Sequence, residues 1–385
     1  MNDLKLSCCI KTCENNPNLL DSQSSFLEKN TLESLRDEID EIDSQIVRLL
    51  NQRVQAAVEI GRIKDQLGVD PYDPAREEQV FEKLRAINEG PMQGDSLRTI
   101  YREVISASIA LEKSLVIGFL GPEATYTHQA AVKNFGSTLS YRPLPDIPDV
   151  FQAVEQGECD YGVVPIENST EGAVNRSLDL LAETELHIVA QVFLKVEHCL
   201  LSLSPLDEIE EVRSKDQALA QCGEWLRRNL PQARLIPVSS TAEAVLECKT
   251  RKASGAIAGK LAGGINEVPM QAEGIQDRKN NTTRFLVVAR NSLPRREGVD
   301  YRTSLVISLS DRIGALQNAL KPFSERDLNL CKIESRPSGK KKWDYYFFVD
   351  FIGHRDDEKV AEAMKELEKS SSFVKHLGSY PENSS

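Results

Sequence analysis

The sequence predicts three folds in series: an all-α segment, an α/β segment with a mostly parallel sheet, and a small α+β unit of ferredoxin-like type. Three observations carry this. Apolar residues step by three and four from Leu32 onward, short apolar strands alternate with helical stretches from Leu115, and a βαββα pattern runs near 303–378. A chain of 385 residues, at roughly 150 residues per domain, has room for two or three such units.

The first 30 residues are polar, lack periodicity and contain Asn15-Asn16-Pro17-Asn18, so 1–30 reads as a disordered extension. The helical segment, 31–113, opens with apolar residues at Leu32, Leu35, Ile39, Ile42, Ile46 and Leu49, then Ala56, Ile60, Ile63 and Leu67. That is one long amphipathic helix of coiled-coil type, ended by Gly68 and a Pro71–Pro74 loop. Further helices are expected from about Pro74 to Asn88 and Ser96 to Lys113. In the α/β segment, 114–293, LVIGFL, YGVVPIEN, HIVAQVFL, EVRS, ARLIPV, GAIAG and TRFLVVAR read as strands. A polar connector, 291–302, leads to the last segment, 303–378.

Composition narrows the function classes. Net charge is −12, which excludes a large nucleic-acid footprint while allowing a local basic pocket. No run of 18 apolar residues occurs, so no membrane-spanning helix is expected. The eight cysteines form neither a disulfide framework nor a metal-ligand spacing; Cys8, Cys9 and Cys13 read as reduced thiols in the tail. The tail carries Asp3, Glu14 and Asp21 and no continuous apolar run, which argues against a secretory signal and points to the cytoplasm.

Arg53 interrupts the apolar stripe of the long helix. A guanidinium there needs an anion, either an acid of a neighbouring helix or a bound guest. Lys64 shares its face: eleven residues turn the helix by about three turns plus 20° and rise about 16 Å, leaving room between the two cations for a small dianion. Arg36 lies about 25 Å from Arg53 and is rotated by roughly 100°. It can complete that pocket only from a second copy, which predicts a homodimer or higher homo-oligomer.

LRDEIDEIDSQIVRLLNQRVQAAVEIGRIK resembles the start of the all-helical chorismate mutase family, with Arg36, Arg53, Lys64, Asp73, Arg76 and Glu77 at the family's spacing. The resemblance covers about 31–113 and implies rearrangement of chorismate to prephenate. Arg36, Arg53 and Arg76 would hold two carboxylates, Lys64 would sit near the breaking ether oxygen, Glu77 would bind the ring hydroxyl, and Ser108 and Glu112 would close the site. Some members have Gln where this chain has Glu112; a Glu donates a hydrogen bond only when protonated, so mutase activity is expected to fall as pH rises.

In the α/β segment, GPEATYTHQAA is a strand-to-helix turn but not a dinucleotide fingerprint. PIENSTEG places Asn168, Ser169 and Thr170 before a helix, either as plain caps or as a carboxylate cradle. NNTTRF places Thr283 and Arg284 at a strand start. Together with SKDQALAQC these motifs resemble the prephenate dehydratase family over about 114–293, in its order and spacing. That resemblance implies two α/β lobes of the periplasmic-binding type with substrate between them. Asn168, Ser214, Gln221, Thr283 and Arg284 fall at functional positions, with Thr283 assisting the departing hydroxyl and Arg284 either anchoring a carboxylate or pairing with an acid of the fold. Lys215 stands where the family often has His, and Ala124 where Gly is common, at a local cost in backbone freedom.

DRIGALQNAL and CKIESRP resemble the phenylalanine-binding motifs of the ACT domain. Gly314, Ala315 and Leu316 would let a helix start approach the ligand, and Glu334, Ser335 and Arg336 would cover it. Cys331 stands where a hydroxyl or amide is common, and Lys340-Lys341-Lys342 reads as a solvated hairpin tip. The whole chain thus resembles bifunctional chorismate mutase–prephenate dehydratases under feedback inhibition by L-phenylalanine, needing no metal or organic cofactor. A non-catalytic amino-acid-sensing protein, or a mutase with an inactive dehydratase half, are the alternatives.

Overall fold

The structure, a computed structural model, describes residues 32–338 and 344–382. The 1–30 extension with its three cysteines, and the 340–342 lysine run, lie outside the described residues. The chain divides into two compact units, one reaching Ile60 and the other spanning Gly61–Ser385.

Helix α1 runs unbroken over Leu32–Gln66, as its apolar stepping requires, and none of its residues is buried. Leu35, Ile39, Ile42, Ile46 and Leu49 all stay exposed. The amphipathic pattern therefore makes the helix, but the seam is left exposed among the described residues.

In the second unit, α2 (Pro74–Ile87) starts with Pro at its first turn and with Asp73 as cap, the Arg76 amide donating to Oδ1 at 2.9 Å. Helix α3 (Gly94–Glu112) leads straight into β1 (Val116–Leu120). These helices join the α/β core: Tyr72, Phe81, Ile105 and Ile109 pack with Ile117, Phe119, Phe135 and Tyr161. The Tyr72 ring lies 4.6 Å from that of Phe135, and its hydroxyl accepts from Asn134 at 2.7 Å.

The α/β segment continues through α4 (Tyr126–Phe135), β2 (Ser140–Leu144), α5 (Ile147–Glu155), β3 (Tyr161–Asn168), β4 (Gly172–Ala173), α6 (Asn175–Glu183) and β5 (His187–Lys195). A second lobe holds β6 (Cys199–Ser202), β7 (Glu211–Ser214), α7 (Asp216–Gln221), α8 (Gly223–Asn229), β8 (Arg234–Pro237), α9 (Thr241–Lys249), β9 (Ser254–Ala258), α10 (Lys260–Asn266) and β10 (Met270–Ala272). Strand β11 (Thr282–Ala289) then returns to the first lobe. The two sheets run β2-β1-β3-β11-β5 and β10-β6-β9-β7-β8.

Both sheets are mixed, which corrects the expectation of a mostly parallel sheet. β1 is parallel to β2 and β3, but β11 is antiparallel to both its neighbours; β7 is parallel to β8 and β9, but β6 is antiparallel to β9 and β10. The cause is the double crossing, because β11 enters the first sheet from the far lobe. The two crossover segments are stitched together: the Val196 amide donates to Asn281 O at 2.8 Å, Ile275 to His198 O at 3.0 Å, and His198 to Gln276 Oε1 at 2.9 Å.

The last segment comprises β12 (Tyr301–Ser308), α11 (Ala315–Ser324), β13 (Leu330–Pro337), β14 (Tyr345–Ile352), α12 (Glu358–Ser370) and β15 (Phe373–Pro381), in the order β13-β14-β12-β15. The sequence pattern missed β15, which makes the unit βαββαβ; KHLGSYP lacks the alternation of a strand because both its faces are covered. One sheet face packs on α11 and α12 through Leu305, Ile307, Phe323 and Phe351. The other face, with Val306, Phe348 and Leu377, packs on Ile166, Leu181, Ile188 and Leu286 of the first lobe.

At that junction β15 lies on the backbone of β5. A Cβ on Gly378 would sit 2.1 Å from Ile188 O. Gly378→Ala should therefore lower the unfolding free energy by about 3 kcal/mol. Gly94→Ala, where a Cβ meets nothing within 4 Å, should stay within about 0.5 kcal/mol in the same denaturant titration.

Candidate functional site

A cleft of about 400 Å3 opens beside the two crossovers, lined by Thr170, Glu171, Gln221, Gln276, Arg278 and Asn281 among others. Behind it runs a chain of side-chain hydrogen bonds. Asn168, at the end of β3, donates through Nδ2 to Thr283 Oγ1 at 2.8 Å and to Asn281 Oδ1 at 2.7 Å. Its Oδ1 accepts from the Thr170 amide at 2.9 Å. Asn281 in turn donates to Gln221 Oε1 at 3.2 Å, and His198 Nε2 meets the same oxygen at 2.9 Å. The Tyr126 hydroxyl lies 2.7 Å from His198 Nδ1.

This places Asn168, Gln221 and Thr283 in one hydrogen-bonded network. The register explains it: Thr283 lies opposite Asn168 on the β11–β3 ladder. A backbone amide can only donate, so the Thr170 contact orients the Asn168 amide and makes Nδ2 the donor to Thr283. With its lone pair so engaged, the Thr283 hydroxyl has its proton free for another acceptor.

Arg284 is not part of this group. One residue on along the strand, it faces the other side of the sheet. Its guanidinium is buried, 2.8 Å from Asp350 Oδ2 and 2.8 Å from the Tyr380 hydroxyl, with Glu167 at 3.3 Å. Burial pulls its pKa down, but Tyr380, Asp350 and Glu167 outweigh that and hold it charged. Of the two readings left open for Arg284, the structure shows the pairing with acids of the fold. Ser214 also lies apart, buried in the second sheet and donating to Ile257 O at 2.6 Å. His128 serves the turn: its ring stacks on Phe119 at 4.5 Å and its Nδ1 accepts from the Ala124 amide at 3.1 Å. Ala124 sits at φ +67°, the left-handed conformation in which Gly is cheaper.

Among the helical-segment residues, Arg36 is exposed and Arg53 half-buried on α1. Lys64, half-buried on the same helix, donates to Pro71 O at 2.8 Å. Asp73 caps α2 and also takes Arg296 Nε at 2.6 Å. Arg76 is exposed and reaches Gln79 at 3.3 Å. Glu77 is buried and pairs with Arg102; burial pushes its carboxyl up and Arg102 opposes that. Ser108 is buried and donates to Val104 O at 2.8 Å. Glu112 lies against Gly61, where an added Cβ would come within 2.6 Å of its Cγ. The family positions Asp73 and Glu77 are thus engaged in a cap and in ion pairs of the second unit.

In the last domain, Gly314 caps α11 at φ +77°. A Cβ there would meet only Asn318 of the chain, at 3.7 Å, and the left-handed backbone itself favours glycine. Ala315 and Leu316 open the helix. Strand β13 pleats Glu334 and Arg336 to one side and Ser335, with Cys331 and Ile333, to the other. Those three motif residues therefore do not share a face. Arg336 binds Asp179 of the first lobe bidentately at 2.8–3.1 Å, and Lys332 pairs with Glu167.

The sequence reading missed Asn281, Gln276 and His198. Asn281 stands in NNTTRF beside the residues singled out, so its proximity was available; His198, in VEHCLL, carries no local signal because its partners lie 23 and 72 residues away.

Three family models match in series: chorismate mutase type II over residues 35–113, prephenate dehydratase over 117–293 and the ACT domain over 303–369. A bifunctional chorismate mutase/prephenate dehydratase of Aquifex aeolicus (strain VF5) is 44% identical over 355 residues, covering 91% of this chain and 98% of that protein. That of Neisseria gonorrhoeae is 44% identical over 350 residues, covering 90% and 96%. The crystal structure of a prephenate dehydratase in complex with L-Phe from Arthrobacter aurescens is 33% identical with a TM-score of 0.64, covering 69% of this chain and 90% of that one. On the strength of full-length similarity at that identity, and of three domain matches in the same order, the chain belongs to the bifunctional chorismate mutase/prephenate dehydratase family.

Proposed function

We propose that the helical segment rearranges chorismate to prephenate, that the two-lobed cleft converts prephenate to phenylpyruvate, and that L-phenylalanine acts as feedback inhibitor through the ACT domain. The observation that carries the second step is the oriented Asn168 amide donating to Thr283 Oγ1. Prephenate loses its ring carboxylate as carbon dioxide, and the electron pair of that bond moves through the ring to expel the ring hydroxyl. Overall one proton is taken up and water leaves. The developing negative charge falls on the departing oxygen, where the Thr283 O–H can donate. A threonine hydroxyl is a weak acid, so its contribution is a preorganised hydrogen bond strengthened as the C–O bond breaks. Arg278 supplies positive charge at the cleft for a carboxylate. The hydrogen-bonded Thr283–Asn168 pair favours catalysis over a non-catalytic sensor.

The mutase step is unimolecular and needs no nucleophile. Its site requires cations that hold a compact conformer and stabilise charge on the ether oxygen. Arg53, Lys64 and Arg76 would serve there, with Arg36 from a second copy. The open seam of α1 supports a homodimer, as does β13, which is an edge strand of the last sheet. No described helix is long and apolar enough to cross a membrane. The described cysteines, four buried and Cys331 exposed, are all free thiols, which fits a cytoplasmic setting.

Supplied with chorismate, the purified chain should form prephenate and then phenylpyruvate, and L-phenylalanine should suppress the second product. Accumulation of prephenate alone would support the mutase with an inactive second half. Thr283→Val should lower phenylpyruvate formation by about 10²–10⁴-fold while prephenate formation persists. Mutase turnover should fall as pH rises and the Glu112 carboxyl loses its proton; Glu112→Gln, which always offers an N–H, should flatten the profile, and an unchanged profile would refute this role.

A further inference from the structure

We infer that His198 is a positioning residue for the dehydratase step: it fixes the Gln221 amide so that its N–H face turns to the cleft. The inference rests on the dehydratase reading of that cleft.

The orientation of each group follows from a donor that cannot change its role. The Thr170 amide donates to Asn168 Oδ1, so Asn168 Nδ2 is the donor to Asn281 Oδ1 at 2.7 Å. Asn281 therefore presents its own Nδ2 on the other side, 3.2 Å from Gln221. A donor there requires oxygen opposite it, so the Gln221 atom is Oε1. His198 Nε2, 2.9 Å from that oxygen, must carry the hydrogen. Its Nδ1 is then a lone pair, toward which the Tyr126 hydroxyl, 2.7 Å away, turns its one hydrogen in preference to Glu197 O at 3.0 Å. Burial pushes the imidazole below its ordinary pKa, which keeps this single-hydrogen tautomer. Gln221 Nε2 takes no part in these two contacts, and Gln221 lines the cleft.

The ring is well placed to enforce this. His198 is 2% exposed, so water cannot replace a lost partner at Nε2. Its backbone is tied to the second crossover through Gln276 and Ile275. Tyr126 comes from the first lobe and Gln221 from the second, so the ring bridges the two lobes. The chemical consequence concerns an anionic substrate. An N–H face attracts a carboxylate or carbonyl oxygen, whereas a flipped amide would set oxygen against oxygen.

The test compares His198→Leu with His198→Gln in the full chain, assayed for prephenate and for phenylpyruvate. His198→Leu should lower kcat/KM for phenylpyruvate formation about tenfold or more, with mutase turnover unchanged as the control for intact protein. His198→Gln, which restores an N–H near the Nε2 position, should recover part of the loss. Because the effect passes through one amide, His198→Leu combined with Gln221→Ala should be no worse than Gln221→Ala alone. Unchanged dehydratase activity in His198→Leu, or losses that multiply in the double variant, would overturn the inference. Nitrogen-15 spectra of the histidine rings give a readout independent of turnover: a neutral, Nε2-protonated His198, identified by its loss in His198→Gln, supports the role, and an Nδ1-protonated ring refutes it. A wild-type chain that makes prephenate but no phenylpyruvate would remove the dehydratase reading itself, and with it the catalytic part of the inference.

Discussion

The pleat of one strand, β11, sets the terms for the rest of the second unit. It arrives from the far lobe and takes the place between β3 and β5. Successive side chains must then face opposite ways. Thr283 turns toward the Asn168 network, and Arg284 turns into the layer beneath the ACT sheet. A shift of one residue in register would exchange them, bringing the guanidinium to the cleft and leaving Asp350 and Glu167 without their cation. Glu167 is likewise the neighbour of Asn168 on β3, so both strands carry one polar residue of the cleft and one charged residue of the domain junction.

That junction is charged as well as apolar. Arg284, Asp350 and Tyr380 meet in a buried group that the half-buried Glu167 and Lys332 flank, with Ser304 donating to Asp350 at 2.6 Å. Desolvating such groups is costly, so a cluster of this kind contributes orientation more than stability. The bulk of the attraction comes from the apolar face around Ile166, Leu181, Ile188, Leu286 and Phe348. Gly378 allows that face to close, because only a residue without a Cβ lets β15 lie on the β5 backbone.

The helical segment divides its labour differently. Tyr72, Phe81, Ile105 and Ile109 find cover in the α/β core, whereas the seam of α1 stays exposed among the described residues. The same 3–4 spacing that forms the helix thus demands an apolar partner from outside it.

Much of the fold was legible in the sequence, because hydrophobic periodicity reports local geometry directly. The 3–4 stepping of Leu32 to Leu67 gave the long helix, and YGVVPIEN gave β3 to the residue. Strand β15 and the antiparallel placement of β11 were not legible: a strand covered on both faces does not alternate, and strand direction depends on which lobe the chain comes back from. The resemblance to the prephenate dehydratase family implied Asn168, Gln221 and Thr283, together with Ser214 and Arg284. The sequence by itself thus determined most of the elements and their order, though not β2, β6 or β10, whose short segments carry little periodicity. Only the tertiary structure decided that Arg284 faces Asp350, that Ser214 is a buried brace and that His198 completes the Gln221 contact, because hydrogen-bond partners and sheet faces are set by residues that meet in space far from one another along the chain.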